Sequence, residues 1–213
     1  MSRFSPRTKR GAAGAALLAG LAAQWPAHAD PPGAPPTFAT CAACHGVRAE
    51  GNPAGVPRLA GQNAGYLEHA LATFKTGSRS SPVMQPIAER LSNADIHALA
   101  SYLASLHGTA PTQAPVRPPS DLLRPGERLA RVGALADPTP PCFSCHALGG
   151  SDNPRFPSIV GQPAAYVVNR LHDFQARARD SPPAPATMTA VAARLDEAQV
   201  REVADYLSTL PPP

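Results

Sequence analysis

An all-α fold built twice over is what this 213-residue chain predicts, and three observations predict it. A short signature, Cys-x-x-Cys-His, occurs at Cys41-Ala42-Ala43-Cys44-His45 and again at Cys142-Phe143-Ser144-Cys145-His146. The residues that follow each copy repeat one another. Apolar positions recur at helical spacing, and no segment shows the two-residue alternation of a half-buried strand.

The repeat decides between one domain and two. Pro57-Arg58-Leu59-Ala60-Gly61-Gln62 returns as Pro157-Ser158-Ile159-Val160-Gly161-Gln162, and Tyr66 and Phe74 return as Tyr166 and Phe174. After a short insertion, Met84, Leu91 and Tyr102 return as Met188, Leu195 and Tyr206. The chain is a tandem duplication, divided here as 1–29 leader, 30–109 first domain, 110–125 linker and 126–213 second domain.

Taken in order, the chain opens with Arg3, Arg7, Lys9 and Arg10, a small apolar run from Gly11 to Leu21, and Ala27-His28-Ala29, which fits an A-x-A cleavage site. This reads as a secretory signal peptide. The run falls short of the about 20 residues that span a bilayer, and no second apolar stretch suggests a transmembrane segment. Mature protein is expected to begin near Asp30, outside the cytoplasm. Four of the 19 basic residues and none of the 15 acidic ones lie in the leader, so the mature chain is formally neutral. It lacks the basic footprint of a nucleic-acid binder.

In the first unit, the spacing predicts a helix near Ala64 to Thr76, ended by Gly77 in a left-handed cap. Another is predicted from Leu91 to Leu106, with Ser92 as N-cap and Ile96, Leu99, Ala100, Leu103 and Leu106 on one face. Only 11 mature residues precede Cys41, four of them proline, so the leading helix of this unit is expected to be shortened. Pro111, Pro115, Pro118, Pro119 and Pro125 then predict an extended, semi-rigid spacer. In the second unit a short helix is expected over Gly126 to Gly133, a middle helix near Ala164 to Ala178, and a last one from Leu195 to Leu210 capped by Asp196. Arg177 stands where Gly77 would repeat, so the second middle helix must end differently.

The Cys-x-x-Cys-His signature carries the chemistry. Two thiols on one helical turn can form thioethers to the vinyl groups of one porphyrin, and the tether presents the next residue, His45 or His146, to the iron. A zinc ribbon would place its second pair about 15–20 residues after the first, and these pairs start at Cys41 and Cys142. A thioredoxin-like pair would need a βαβ surrounding, and a disulfide at this spacing would be strained. The four cysteines are all the chain has, so two covalently attached haem c groups account for every one. Each unit is small and poor in aromatic residues, so a buried porphyrin is expected to complete its core and to couple haem binding to folding.

Met84 and Met188 are the only methionines after Met1, and each lies in a proline-flanked loop before the last helix of its unit. Thioether ligation of the second axial position is the reading adopted, against that of a flexible core filler. The other mature histidines, His69, His97, His107 and His172, do not occupy matching positions, and bis-histidine ligation is the alternative. A neutral thioether favours ferrous iron and fills the sixth position, which points to electron carriage rather than catalysis.

Both signatures, both P-x-[LI]-x-G-Q segments, both methionines and both terminal helices with Tyr-Leu make the chain resemble the dihaem cytochrome c4 family over essentially its whole mature length. The resemblance implies two class I cytochrome c domains in tandem, exported to the periplasm. It implies His45 and Met84 on one iron and His146 and Met188 on the other. It further implies that the Pro57 and Pro157 carbonyls accept the other ring N–H of each histidine, where simple turn rigidity is the plainer reading. Arg79 and Arg179 would lie near haem propionates, or else be solvated. The expected role is a non-enzymatic carrier moving single electrons from a quinol-oxidising complex or a dehydrogenase to a terminal oxidase or reductase. A haem-bearing subunit of a dehydrogenase, or a dihaem thiosulfate dehydrogenase or peroxidase-like enzyme, are the rivals.

Overall fold

The computed structural model describes residues 33–106, 120–134, 139–146, 153–180 and 187–212, with Met1 and Leu148. The leader and most of the proline-rich spacer lie outside the described residues. Within them the chain is helical: α1 (Phe38–His45), α2 (Ala64–Lys75), α3 (Met84–Ala88), α4 (Asn93–Ser105), α5 (Ser120–Val132), α6 (Phe143–His146), α7 (Ala164–Asp180), α8 (Met188–Ala192) and α9 (Glu197–Thr209). No strand occurs among these residues beyond two isolated bridges, Asn52 with Val56 and Ala134 with Thr139.

Each half closes around its last helix. In α4 the buried positions are Ile96, Leu99, Ala100, Tyr102 and Leu103; in α9 they are Val200, Val203, Ala204, Tyr206 and Leu207, the same five places of the repeat. Both helices start on a reciprocal cap. Asp95 N–H donates to Ser92 Oγ at 3.1 Å while Ser92 N–H donates to Asp95 Oδ2 at 2.9 Å. Gln199 N–H donates to Asp196 Oδ1 at 2.8 Å while Asp196 N–H donates to Gln199 Oε1 at 3.0 Å. Such caps contribute about 1 kcal/mol each. The middle helices diverge where expected: α2 stops at Lys75 with Gly77 at φ +74°, whereas α7 runs on to Asp180.

The halves differ most before the signature. Phe38, fully buried, meets Tyr102 edge-on at 4.9 Å in the first half. In the second, Tyr206 meets α5, whose Arg131 donates from Nε to the phenol oxygen at 2.9 Å. The helix expected from Gly126 begins earlier, at Ser120, and passes through Pro125. The reason is tertiary: α5 packs along α9, and that contact carries the helix past the proline's missing N–H. At the crossing, a Cβ on Gly126 would overlap the Glu202 carbonyl, which is backbone and cannot step aside. Gly126→Ala is therefore expected to cost about 3 kcal/mol and to lower the melting temperature of the holoprotein by roughly 10 °C. A thermal melt unchanged within 2 °C of wild type, as a rough bound, would show that α5 does not sit this closely on α9.

The two halves meet through the segments that repeat most closely. Gly55 lies beside Ala165, and Gly65 lies against Pro154. Gly61 and Gly161 sit at φ +72° and +66°, a backbone conformation that favours glycine. Each anchors its N–H on the last helix of its own half, to Leu103 O at 3.0 Å and Leu207 O at 2.9 Å. The glutamine that follows each glycine points into the opposite half. Gln162 accepts from Arg58 N–H at 3.1 Å and donates to Arg58 C=O at 3.0 Å. Gln62 accepts from Ser158 N–H at 2.8 Å and donates to Ser158 C=O at 2.9 Å. All four residues are buried.

Candidate functional site

Each signature sits on one turn of helix with its thiols apart and unpaired: Cys41 and Cys142 half-buried, Cys44 and Cys145 exposed. Burial pushes the Cys41 thiol above its ordinary pKa and the Cys142 thiol up to about 11. That is the reverse of a reactive redox dithiol, which is held as thiolate. The thioredoxin-like reading loses support. Among the described residues no group of three or more histidine, cysteine or acidic side chains can hold a metal ion.

His45 and His146 are 6% and 7% exposed. In each, Nδ1 lies 2.8 Å from a proline carbonyl, Pro57 for His45 and Pro157 for His146. A carbonyl oxygen can only accept, so Nδ1 carries the proton and Nε2 keeps its lone pair. Burial lowers both imidazole pKa values, which favours the neutral ring, and the bond to the proline carbonyl partly offsets that. A neutral, oriented imidazole with a free Nε2 is what an iron requires. His146 has an additional neighbour, Phe156, edge-on at 6.1 Å, where the first half has Val56.

The methionines are not in open loop. Met84 and Met188 each begin a five-residue helix, α3 and α8, and both are half-buried. Ser81 Oγ accepts from Met84 N–H at 3.1 Å, and Thr187 Oγ1 accepts from Ala190 N–H at 3.4 Å. These hydroxyls, each followed within a few residues by a small apolar turn, were the available signal for the two short helices. In the first half, Pro86, Ile87, Arg90 and Leu91 face Thr37, Thr40 and Cys41 across a cleft of about 370 Å³. Thr37 Oγ1 is buried at that cleft without a protein partner. In the second half, Met188 packs on the same apolar cluster as Cys142 and Phe143. In the first half, Cys41 of the signature and Pro86 and Ile87 of the methionine helix border one cleft, which fits a porphyrin attached at the signature.

The remaining candidates part company. His97 Nδ1 lies 2.6 Å from Glu68 and His172 Nε2 lies 2.9 Å from Glu197, each tying a middle helix to a last helix at the surface. His107 is outside the described residues. The two arginines are not equivalent: Arg179 is exposed near the end of the longer α7, while Arg79 reaches across to Tyr166 OH at 3.3 Å with its guanidinium 4.4 Å over the Phe74 ring. Tyr66 and Arg170 share that cluster. The equivalence expected from the repeat fails because α7 continues past the point where α2 ends.

Two helical halves, each presenting a haem-attachment turn, a fixed neutral imidazole and a methionine on a short helix, define a dihaem c-type cytochrome. Comparison agrees: the cytochrome c family profile matches residues 36–107 and 137–211. The chain is 39% identical over 191 residues (88% of this chain, 86% of the relative) to the thiosulfate dehydrogenase electron acceptor of Thiomonas intermedia. It superposes on reduced cytochrome c4 from Pseudomonas stutzeri with a TM-score of 0.71 at 33% identity, covering 81% of this chain and 94% of that one. It also superposes on thiosulfate dehydrogenase TsdBA from Marichromatium purpuratum with a TM-score of 0.66 at 36% identity, covering 80% of this chain and 36% of that one. The chain belongs to the dihaem cytochrome c4 family and carries two covalently bound haem c groups as an electron carrier. No helix among the described residues is long and apolar enough to cross a membrane.

Proposed function

We propose that this chain is a periplasmic carrier whose two domains, residues 30–109 and 126–213, each hold one haem under His/Met ligation, and that its electron donor is a thiosulfate-oxidising dehydrogenase. His45 and Met84 serve the first haem, His146 and Met188 the second. The observation that carries the choice of donor is the 39% identity, over 88% of the chain, to a protein named as the electron acceptor of such an enzyme.

Each haem supplies one iron that changes by one electron between ferric and ferrous. The residues of the chain keep that change small in structural terms. The Pro57 and Pro157 carbonyls fix the rings of His45 and His146 in one tautomer and orientation. Burial of both imidazoles excludes water from the ligand side. Met84 and Met188 would supply the second donor to each iron and so fill the position that oxygen or peroxide chemistry would need, which favours a carrier over an enzyme. Two such sites in one molecule accept both electrons of a two-electron oxidation without waiting for a second carrier.

The superposition on cytochrome c4 favours a second reading, a general respiratory carrier fed by a quinol-oxidising complex and drained by a terminal oxidase or reductase. Mixing the oxidised holoprotein with thiosulfate, with and without a purified thiosulfate dehydrogenase, separates the readings. Reduction of both haems only when the dehydrogenase is present is the expected result. Reduction by thiosulfate alone would make the chain an enzyme, and no reduction in either mixture would move the donor to the quinol side.

A further inference from the structure

We infer that Gln62 and Gln162 are positioning residues that act across the domain boundary, each setting the strength of the proximal-histidine hydrogen bond in the other half. The inference rests on His45 and His146 being the proximal ligands.

Its basis is a shared peptide group. The Pro57 carbonyl that accepts from His45 Nδ1 and the Arg58 N–H that donates to Gln162 Oε1 belong to one amide plane. In the second half the same holds for Pro157 C=O, bound to His146 Nδ1, and Ser158 N–H, bound to Gln62 Oε1. The order of bonds is therefore glutamine oxygen, peptide N–H, peptide C=O, imidazole N–H, with no intervening water. Accepting at the N–H end of an amide makes its carbonyl oxygen a better acceptor, the cooperative strengthening of hydrogen bonds in a chain. The second bond of each glutamine, from Nε2 to Arg58 C=O or Ser158 C=O, pins the side chain in the orientation that aims its oxygen at the amide.

Burial makes the arrangement consequential. Arg58, Gln62, Ser158 and Gln162 are 3%, 5%, 7% and 6% exposed, so water cannot substitute freely for a missing amide. A stronger bond at Nδ1 gives the imidazole more anionic character and favours ferric iron, as partners of metal-bound histidines generally do. The glutamine of one half thus biases the iron of the other.

The test is redox titration of full-length holoprotein variants with the two haems resolved by their hyperfine-shifted proton resonances. Gln162→Ala should raise the potential of the haem on His45, a change of roughly two- to threefold in its ferric-to-ferrous ratio at fixed poise, and speed exchange of the His45 ring N–H. The haem on His146 should stay within error. Gln62→Ala should do the converse. Gln162→Glu, which offers Arg58 N–H an anionic acceptor, should shift the first haem in the opposite direction from Gln162→Ala. It also keeps the test open if the alanine variant folds poorly. Effects on the haem of the same half, equal effects on both haems, or shifts of one sign for alanine and glutamate would each overturn the inference. Wild-type spectra lacking ring-proton signals from His45 and His146 would instead remove the ligand assignment.

Discussion

Met84→Ala should lower one of the two reduction potentials by an amount on the order of 0.1–0.3 V, a fraction of the roughly 0.8 V that axial ligands span. It should leave the other potential almost untouched. The thioether is a weak donor that stabilises ferrous iron; without it, water or a neighbouring side chain takes the position and ferric iron gains. Met84 begins a short helix and is only half-buried, so its loss leaves the core of Leu67, Leu91, Leu99 and Leu103 intact. Carbon monoxide should then bind one reduced haem per chain, and half of the near-infrared methionine-to-iron band should vanish. Met188→Ala should repeat the pattern on the second haem, with a larger stability cost because Met188 packs against the apolar cluster of the second half, whereas Met84 does not join that of the first. Retention of both potentials and of the full band after Met84→Ala would remove Met84 from the ligand set.

Preventing attachment in one half should have the larger effect on folding. The double variant Cys41→Ser, Cys44→Ser is expected to lose near-ultraviolet circular dichroism and amide protection across residues 33–106 while the second half keeps its haem. The protein core of the first half is thin: Phe38, Leu67, Phe74, Leu91, Ile96, Leu99, Tyr102 and Leu103 are its large buried side chains. Each contributes about 1.5–3 kcal/mol, set against an ordering cost of roughly 1–2 kcal/mol for every residue's backbone. A domain of this size has little surplus, and a cofactor that contributes apolar surface becomes part of its folding free energy, as a structural metal does. A cooperative melt and native-like protection in the haem-free half would contradict this.

The parts of the molecule legible in the sequence were those governed by local rules. Ser92 and Asp196 could be named as N-caps because a cap depends on three or four consecutive residues. Gly77 could be named as a helix end because a left-handed residue needs glycine. Four of the five core positions of α4 and α9 followed from a 3.6-residue period; the fifth is Tyr102 or Tyr206, while Leu106 and Leu210, expected on that face, are half-buried C-caps. The parts not legible depend on contacts between distant segments. Helix α5 begins at Ser120, inside a proline-rich stretch, because α9 supplies its partner surface. Arg79 and Arg179 match in the repeat yet occupy different surroundings, since one helix is longer. The repeated Gly-Gln pairs were visible as a motif, but nothing in their spacing shows that each glutamine serves the other half.

That exchange is self-complementary: each half offers one carboxamide and one peptide, and receives the same pair in return. An isologous contact of this kind needs only a twofold axis, not a covalent connection. The four bonds therefore have the pairing of a homodimer contact, made here within one chain. In the present chain, fusion replaces a concentration-dependent association with a tethered one, and lets the paired surfaces diverge, as Arg58 and Ser158 already have.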